Sequence, residues 1–165
     1  MERLYILNPY DKNHINLLMN YEKENNVSTK SLEMLLKVRE TLSEEEYSEL
    51  RKKSNDIELS IVIEELGKIK DLCLIQGEKD RKICKLFFSP MTPKTKNRKL
   101  LDLASDFALN TLNMESVFVI TNETDKTIHA CLEEKGYECL GLENDSIIYL
   151  KEQELEIEHK HINNI

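Results

Sequence analysis

Four basic residues, Lys94, Lys96, Arg98 and Lys99, fall within a short polar stretch of a chain whose net charge is −8. The stretch runs into a helical pattern, and a helix N-terminus offers unpaired backbone N–H groups and the positive end of the helix dipole. Exposed cations at that end are unfavourable by ~0.3–1 kcal/mol each, so the cluster calls for an offset. A bound anion supplies one, and phosphate suits such a site. The competing reading is a solvated helix start. Our expectation is a phosphate-bearing ligand on this loop.

Other residues that could do chemistry are more scattered. Glu58, Glu64 and Glu65 are the carboxylates on one apolar strand pattern. A general base must reach the proton it removes, and nothing in the sequence selects one, so each is expected to face solvent. His14 and His129 fall on separate helical patterns with no nucleophile in register. His159 and His161 make one His-x-His pair in the tail, too few ligands for a zinc site. Cys73, Cys84, Cys131 and Cys139 lack the two-residue spacing of a zinc or redox motif and read as reduced thiols in apolar patches. Asp71 and Asp80 read as turn residues. Tyr10 and Tyr21 could line a pocket or belong to the core.

The elements that must position these groups follow from periodicity. Residues 2–7 alternate as a strand, Asn8-Pro9 ends it, and Asp11 can cap a helix over 12–24. Ser28 or Thr29 caps a second helix with Leu32, Leu35, Leu36 and Val38 inward. Ser43 and Glu46 form a capping box for a third stretch to about Lys53, with Tyr47 and Leu50 inward. Residues 56–65 form a strand with Ile57, Leu59, Ile61 and Ile63 on one face and a mostly polar opposite face. Gly67-Lys68 makes a turn, 69–76 a strand, 77–80 a hairpin loop and 82–89 a third strand. The basic loop spans 90–96 and the next helix 97–113, with Leu100, Leu103, Ala104, Phe107, Ala108, Thr111 and Leu112 on its stripe. A strand at 115–121, apolar on both faces, suits a central parallel position. A helix at 122–135 carries Ile128, Cys131 and Leu132 inward and ends on Gly136. Strands at 137–141 and 146–151 close the domain, 1–152, and 153–165 is a charged tail. The order β-α-α(α)-β-β-β-α-β-α-β-β gives an α/β chain with a mixed sheet.

Length and composition narrow the classes. The 165 residues suffice for one domain with a core. The acidic balance argues against general binding to nucleic acid or to an anionic membrane. No apolar run reaches the length of a bilayer span, and the N-terminus does not read as a signal peptide. A cytoplasmic location is expected.

At this point the chain resembles the GNAT acyltransferase superfamily. The likeness rests on the element order and on local segments in the family's sequence: Arg98-Lys99-Leu100-Leu101, then Leu112-Asn113-Met114-Glu115-Ser116-Val117-Phe118-Val119, then Cys131-Leu132-Glu133-Glu134-Lys135-Gly136-Tyr137, then Gly141. The resemblance implies a GNAT-like mixed sheet. It implies acetyl-CoA as co-substrate, lying in a V between the strands at 82–89 and 115–121. Phe87, Phe88 and Ser89 would flank the pantetheine arm. Thr92, Thr95, Lys96, Asn97, Arg98 and Lys99 would hold the pyrophosphate. A small-molecule or peptide amine would enter from the helices between 11 and 53, where Glu33, Glu40, Glu44, Glu45 and Glu46 make an acidic helical surface.

The chain departs from the family's pattern at two places. The phosphate loop Gln/Arg-x-x-Gly-x-Gly/Ala falls on Thr92, Thr95 and Asn97, without either glycine that lets backbone approach a diphosphate. The tyrosine that often serves as general acid falls on Leu132. The expected function is acetyl-CoA-dependent transfer to a primary amine. The alternatives are a catalytically degenerate GNAT-like module that binds CoA or a protein, and an unrelated α/β phosphate-binding domain. A monomer and a homodimer both remain compatible.

Overall fold

A computed structural model describes residues 1–88, 99–122, 126–144 and 146–153. Strand β1, Glu2–Ile6, leads to α1, Lys12–Asn25, α2, Lys30–Thr41, and α3, Glu44–Lys53. The strands β2, Asp56–Glu65, β3, Lys68–Glu78, and β4, Ile83–Phe88, form an antiparallel meander. Helix α4, Lys99–Asp106, continues as a π-helical turn, Phe107–Thr111, into β5, Ser116–Asn122. Helix α5, Lys126–Glu134, precedes β6, Glu138–Glu143, and β7, Ser146–Glu152. The order read from the sequence is therefore the observed one.

Local chemistry sets the boundaries. Asp11 caps α1 by accepting from Asn13 and His14 N–H, and Asn26 ends the helix at φ 51°. Thr29 caps α2 through Leu32 N–H, and Ser43 with Glu46 makes the expected capping box on α3. Leu66 and Gly67, at φ 55° and 74°, turn the β2–β3 hairpin, the left-handed pair that matches strand twist in a two-residue connection. Gly136 at φ 86° terminates α5 as expected.

The single sheet has the order β1-β2-β3-β4-β5-β7-β6. Among the described residues its one parallel pair is β4 with β5, and β7 inserts between β5 and β6. Helices α4 and α5 cover one face, where Ile61, Ile75, Leu86 and Val119 meet Leu100, Leu101, Ala104 and Leu132. Helices α1 and α2 cover the other face over β2 and β3, where Val62, Ile69 and Leu72 meet Leu18, Tyr21 and Leu35. No helix among the described residues is long and apolar enough to cross a membrane, which says nothing of a β-barrel.

Several expectations are corrected. The mostly polar face of β2 is buried from Ser60 onward, because α1 and α2 lie over it: Ser60, Val62 and Glu64 are buried, while Glu58 is exposed. Gly77 is strand, not loop, and a Cβ there would stand 2.6 Å from the Ile83 carbonyl oxygen. Leu36 and Leu50 are exposed and α3 has no buried residue, since it sits at the sheet's margin. Helix α4 buries Leu101, Ser105 and Leu109 beyond the expected stripe and exposes Thr111. Its buried face is wide because α5 packs beside it, with a Ser105–Tyr137 hydroxyl hydrogen bond and a Lys135–Asp102 ion pair. Asp71 lies buried inside β3, beside the register shift at Ile63/Glu64, and not at a turn. Cys139 is exposed on β6, whereas Cys73 and Cys84 are buried. Gln153 is still tied to the sheet through Glu115, and the tail beyond it lies outside the described residues.

Candidate active site

The parallel ladder between β4 and β5 runs from Ile83/Ser116 to Leu86/Val119 and stops there. Both strands continue. Phe87 and Phe88 stay paired with Leu74 and Cys73 of β3, while Ile120, Thr121 and Asn122 stay paired with Ile148, Ile147 and Ser146 of β7. Each strand thus follows its antiparallel neighbour, and the two part beyond Leu86. A parallel pair is the weaker partner of the two kinds, so this is where a mixed sheet opens at least cost.

Beside the opening lies a chamber of about 220 Å³ on the α1/α2 face. Its floor is Leu72, Leu74 and Phe87, and its cover is the α1–α2 junction, residues 27–31, with Phe88 at the edge. The alternation of β3 places Leu72 and Leu74 on one face, and register puts Phe87 opposite Leu74 and Ser60 on the other side of Leu74. Asn26 ends α1 in the left-handed region, which turns Val27 back over this floor. The sequence signal for the floor was a β3 segment apolar on both faces, which requires cover on both. Periodicity gave no hint that the cover stops short of Phe87.

The Thr29 and Ser31 hydroxyls at the chamber are engaged. Glu22 accepts from Thr29 N–H and from Thr29 Oγ1, each at 2.6 Å. Ser60 Oγ donates to Ser31 Oγ at 2.7 Å. Lys30 is the charged residue in the lining among the described residues.

Of the expected ligand-binding residues, Phe87 and Phe88 stand where the strands part. Lys99 opens α4 and pairs with Glu2 of β1, Nζ to Oε2 at 2.8 Å. The hydrogen bond from this ammonium to Glu2, together with the carboxylate's charge, raises the Lys99 pKa. Ser89, Thr92, Thr95, Lys96, Asn97 and Arg98 lie outside the described residues.

The candidate bases are not brought to the chamber. Glu58 is exposed and lines a separate groove of about 490 Å³ beneath α2 and α3. Glu64, expected at the surface, is buried and accepts from Tyr5 OH at 2.9 Å and Arg3 at 3.4 Å. Burial first, and then the bond to Glu64, push the Tyr5 phenol up to about 12. Leu132 is fully buried in the core, so that position supplies no acid. Tyr21 is core, whereas Tyr10 donates to the Leu42 and Ser43 carbonyls and holds the entry to α3. His14 stacks on Tyr5 and accepts from Asn8 N–H. His129 Nδ1 contacts Tyr149 OH at 3.1 Å under α5. No group of three or more His, Cys, Asp or Glu among the described residues could hold a metal.

Solved structures share this architecture. The ribosomal-protein-S5-alanine acetyltransferase from Vibrio fischeri superposes with a TM-score of 0.68 at 12% identity, over 92% of this chain and 92% of that one. Mutant forms of the spermidine/spermine N-acetyltransferase SpeG from Vibrio cholerae give 0.61 at 17%, over 99% of each chain. The Campylobacter jejuni N-acetyltransferase PseH in complex with acetyl coenzyme A gives 0.61 at 11%, over 93% of this chain and 100% of that one. No protein-family model and no curated protein sequence matches the chain. At these identities the likeness shows the fold, and the fold is that of the GNAT N-acetyltransferases.

Proposed function

We propose that the protein is an acetyl-CoA-dependent N-acetyltransferase acting on a primary amine. The observation that carries this reading is the parting of β4 and β5 after Leu86/Val119 next to a chamber of ligand size. Fold alone does not fix chemistry, so the reading rests on that juxtaposition.

In this reading the pantetheine arm lies along Phe87, Phe88 and Ser89. Lys96, Arg98 and Lys99 meet the phosphates with charge, and Thr92, Thr95 and Asn97 meet them with hydrogen-bonding side chains, where glycines would otherwise let backbone approach. The acceptor enters the chamber under residues 27–31, its nitrogen turned toward Phe87 and Phe88. The thioester supplies an activated acetyl group: the nitrogen–carbon bond forms, the carbon–sulfur bond breaks, and the amine's proton passes to solvent. A thiol of pKa ~8.5 is a better leaving group than an amine of pKa ~10.4, so buried Leu132 need not supply a proton. The chain's contribution is positioning and exclusion of water, which can account for much of a transfer rate.

Calorimetric titration of acetyl-CoA tests this. Micromolar affinity is expected, weakened at least about a hundredfold in Lys96→Glu with Arg98→Glu, since two charge-assisted attractions to phosphate become repulsions and each ~1.4 kcal/mol is tenfold. No binding at millimolar acetyl-CoA would end the enzyme reading.

A further inference from the structure

We infer that the acceptor is an amine carrying one uncharged, apolar substituent, and that this substituent fills the chamber between the α1–α2 junction and strands β3 and β4. This rests on the reading of the cleft as an acetyl-transfer site. It adds the class of the acceptor.

The chamber offers apolar contact and withholds a counter-charge. Val27, Leu72, Leu74 and Phe87 offer apolar surface, which favours apolar groups in proportion to the area removed from water. No carboxylate lines the chamber among the described residues, and its one charged side chain is the cation Lys30. Glu22, behind Thr29 of the lining, is held by two short hydrogen bonds from that residue. Thr29 Oγ1 also accepts from Leu32 N–H, and the Ser31 and Ser60 hydroxyls bond to each other. A second ammonium inside would therefore lose its hydration without gaining a counter-charge, and Lys30 would repel it.

Size narrows the class further. A dry apolar cavity of roughly 150 Å³ accepts benzene. The chamber's 220 Å³ suits a phenyl ring or a branched four-carbon chain. The same chamber disfavours a polyamine such as those named for SpeG, whose additional charges would have to enter it.

Two readouts on the wild-type protein test the inference. In methyl NMR without acetyl-CoA, 2-phenylethylamine is expected to shift Val27, Leu72 and Leu74, and spermidine is not. In acetyl transfer, kcat/KM for 2-phenylethylamine should exceed that for spermidine by about a hundredfold, the range set by apolar pocket contacts. Val27→Asp, a half-buried position at the chamber's cover, should lower the first at least about tenfold and raise the second. Preference for spermidine, or no methyl shift with 2-phenylethylamine, overturns the inference. The acetyl-CoA titration separates the two claims: methyl shifts without acetyl-CoA binding would retain the ligand class and remove the transferase.

Discussion

Between the sheet and helices α4 and α5, Leu100, Leu101, Ala104 and Leu132 meet Ile75, Leu86 and Val119, and none of these retains more than a trace of exposure. Between the sheet and helices α1 and α2, the cluster around Leu18 and Val62 thins along β3 and gives way to the chamber over Leu74 and Phe87. Twenty buried residues form the first cluster and nine the second among the described residues. The two faces share every strand, yet one holds the fold and the other leaves room for a ligand. A site built against a rigid sheet keeps its geometry while its cover can adapt.

Matched truncations on the two faces should differ most. Leu132→Ala opens a closed void under α5 and is expected to cost about 3–4 kcal/mol. Leu72→Ala removes the same atoms next to space already present, and should cost about 2 kcal/mol. Urea denaturation at neutral pH would measure both, and equal losses would mean that the α1/α2 face is packed as tightly as the other. The unfolding free energy from the same measurement should fall by about 2 kcal/mol in Gly77→Ala, because the added Cβ meets the Ile83 carbonyl and the Cys84 backbone, neither of which can swing aside.

Alkaline pH sharpens the contrast from the core side. Burial pushes the Cys84 thiol from 9.0 up to about 12. The folded state therefore keeps a proton that the unfolded state gives up, so the stability this contributes is complete below pH 9 and is lost as pH rises toward 12. Burial likewise raises the Tyr137 phenol despite its bond to Ser105, and Tyr5 rises to about 12. Thermal midpoints should begin to fall near pH 9 in the wild type. In Cys84→Ala the onset should move about one unit higher, to the range where exposed tyrosine ionises. An unchanged onset would show that Cys84 does not couple to unfolding.

How much of this was readable beforehand divides along the line between local and distant partners. The capping box at Ser43 and Glu46, the Gly136 terminus and the strand order of the meander follow from neighbours in sequence, and the structure has them. Alternation in β2 shows that Ile57, Leu59, Ile61 and Ile63 share a face. It does not show that α1 and α2 lie over Ser60, Val62 and Glu64. Glu64 looked like a surface carboxylate because its partners, Tyr5 and Arg3, stand about sixty residues away. The Lys99 ion pair could not be read from the sequence, because its partner Glu2 is 97 residues distant. Gly77 resembled a turn glycine because the close approach of Cys84 is set by strand register, which composition does not display.

The least disturbance is expected at α3, which contributes to neither cluster. It is held at its entry by Tyr10 and the Ser43 cap, and at its exit by Lys79 Nζ donating to the Arg51 carbonyl. With no buried residue of its own, it should open locally without unfolding the sheet. Ser43→Ala removes the hydroxyl that accepts from Glu46 N–H, a loss that weakens a helix start by roughly a factor of five. Amide exchange in residues 44–53 should speed up about fivefold while exchange in β2 and β3 stays unchanged, because none of their pairing depends on that cap. Matching acceleration in β2 would show that α3 belongs to the cooperative core and that the α1/α2 side is less independent than its packing indicates.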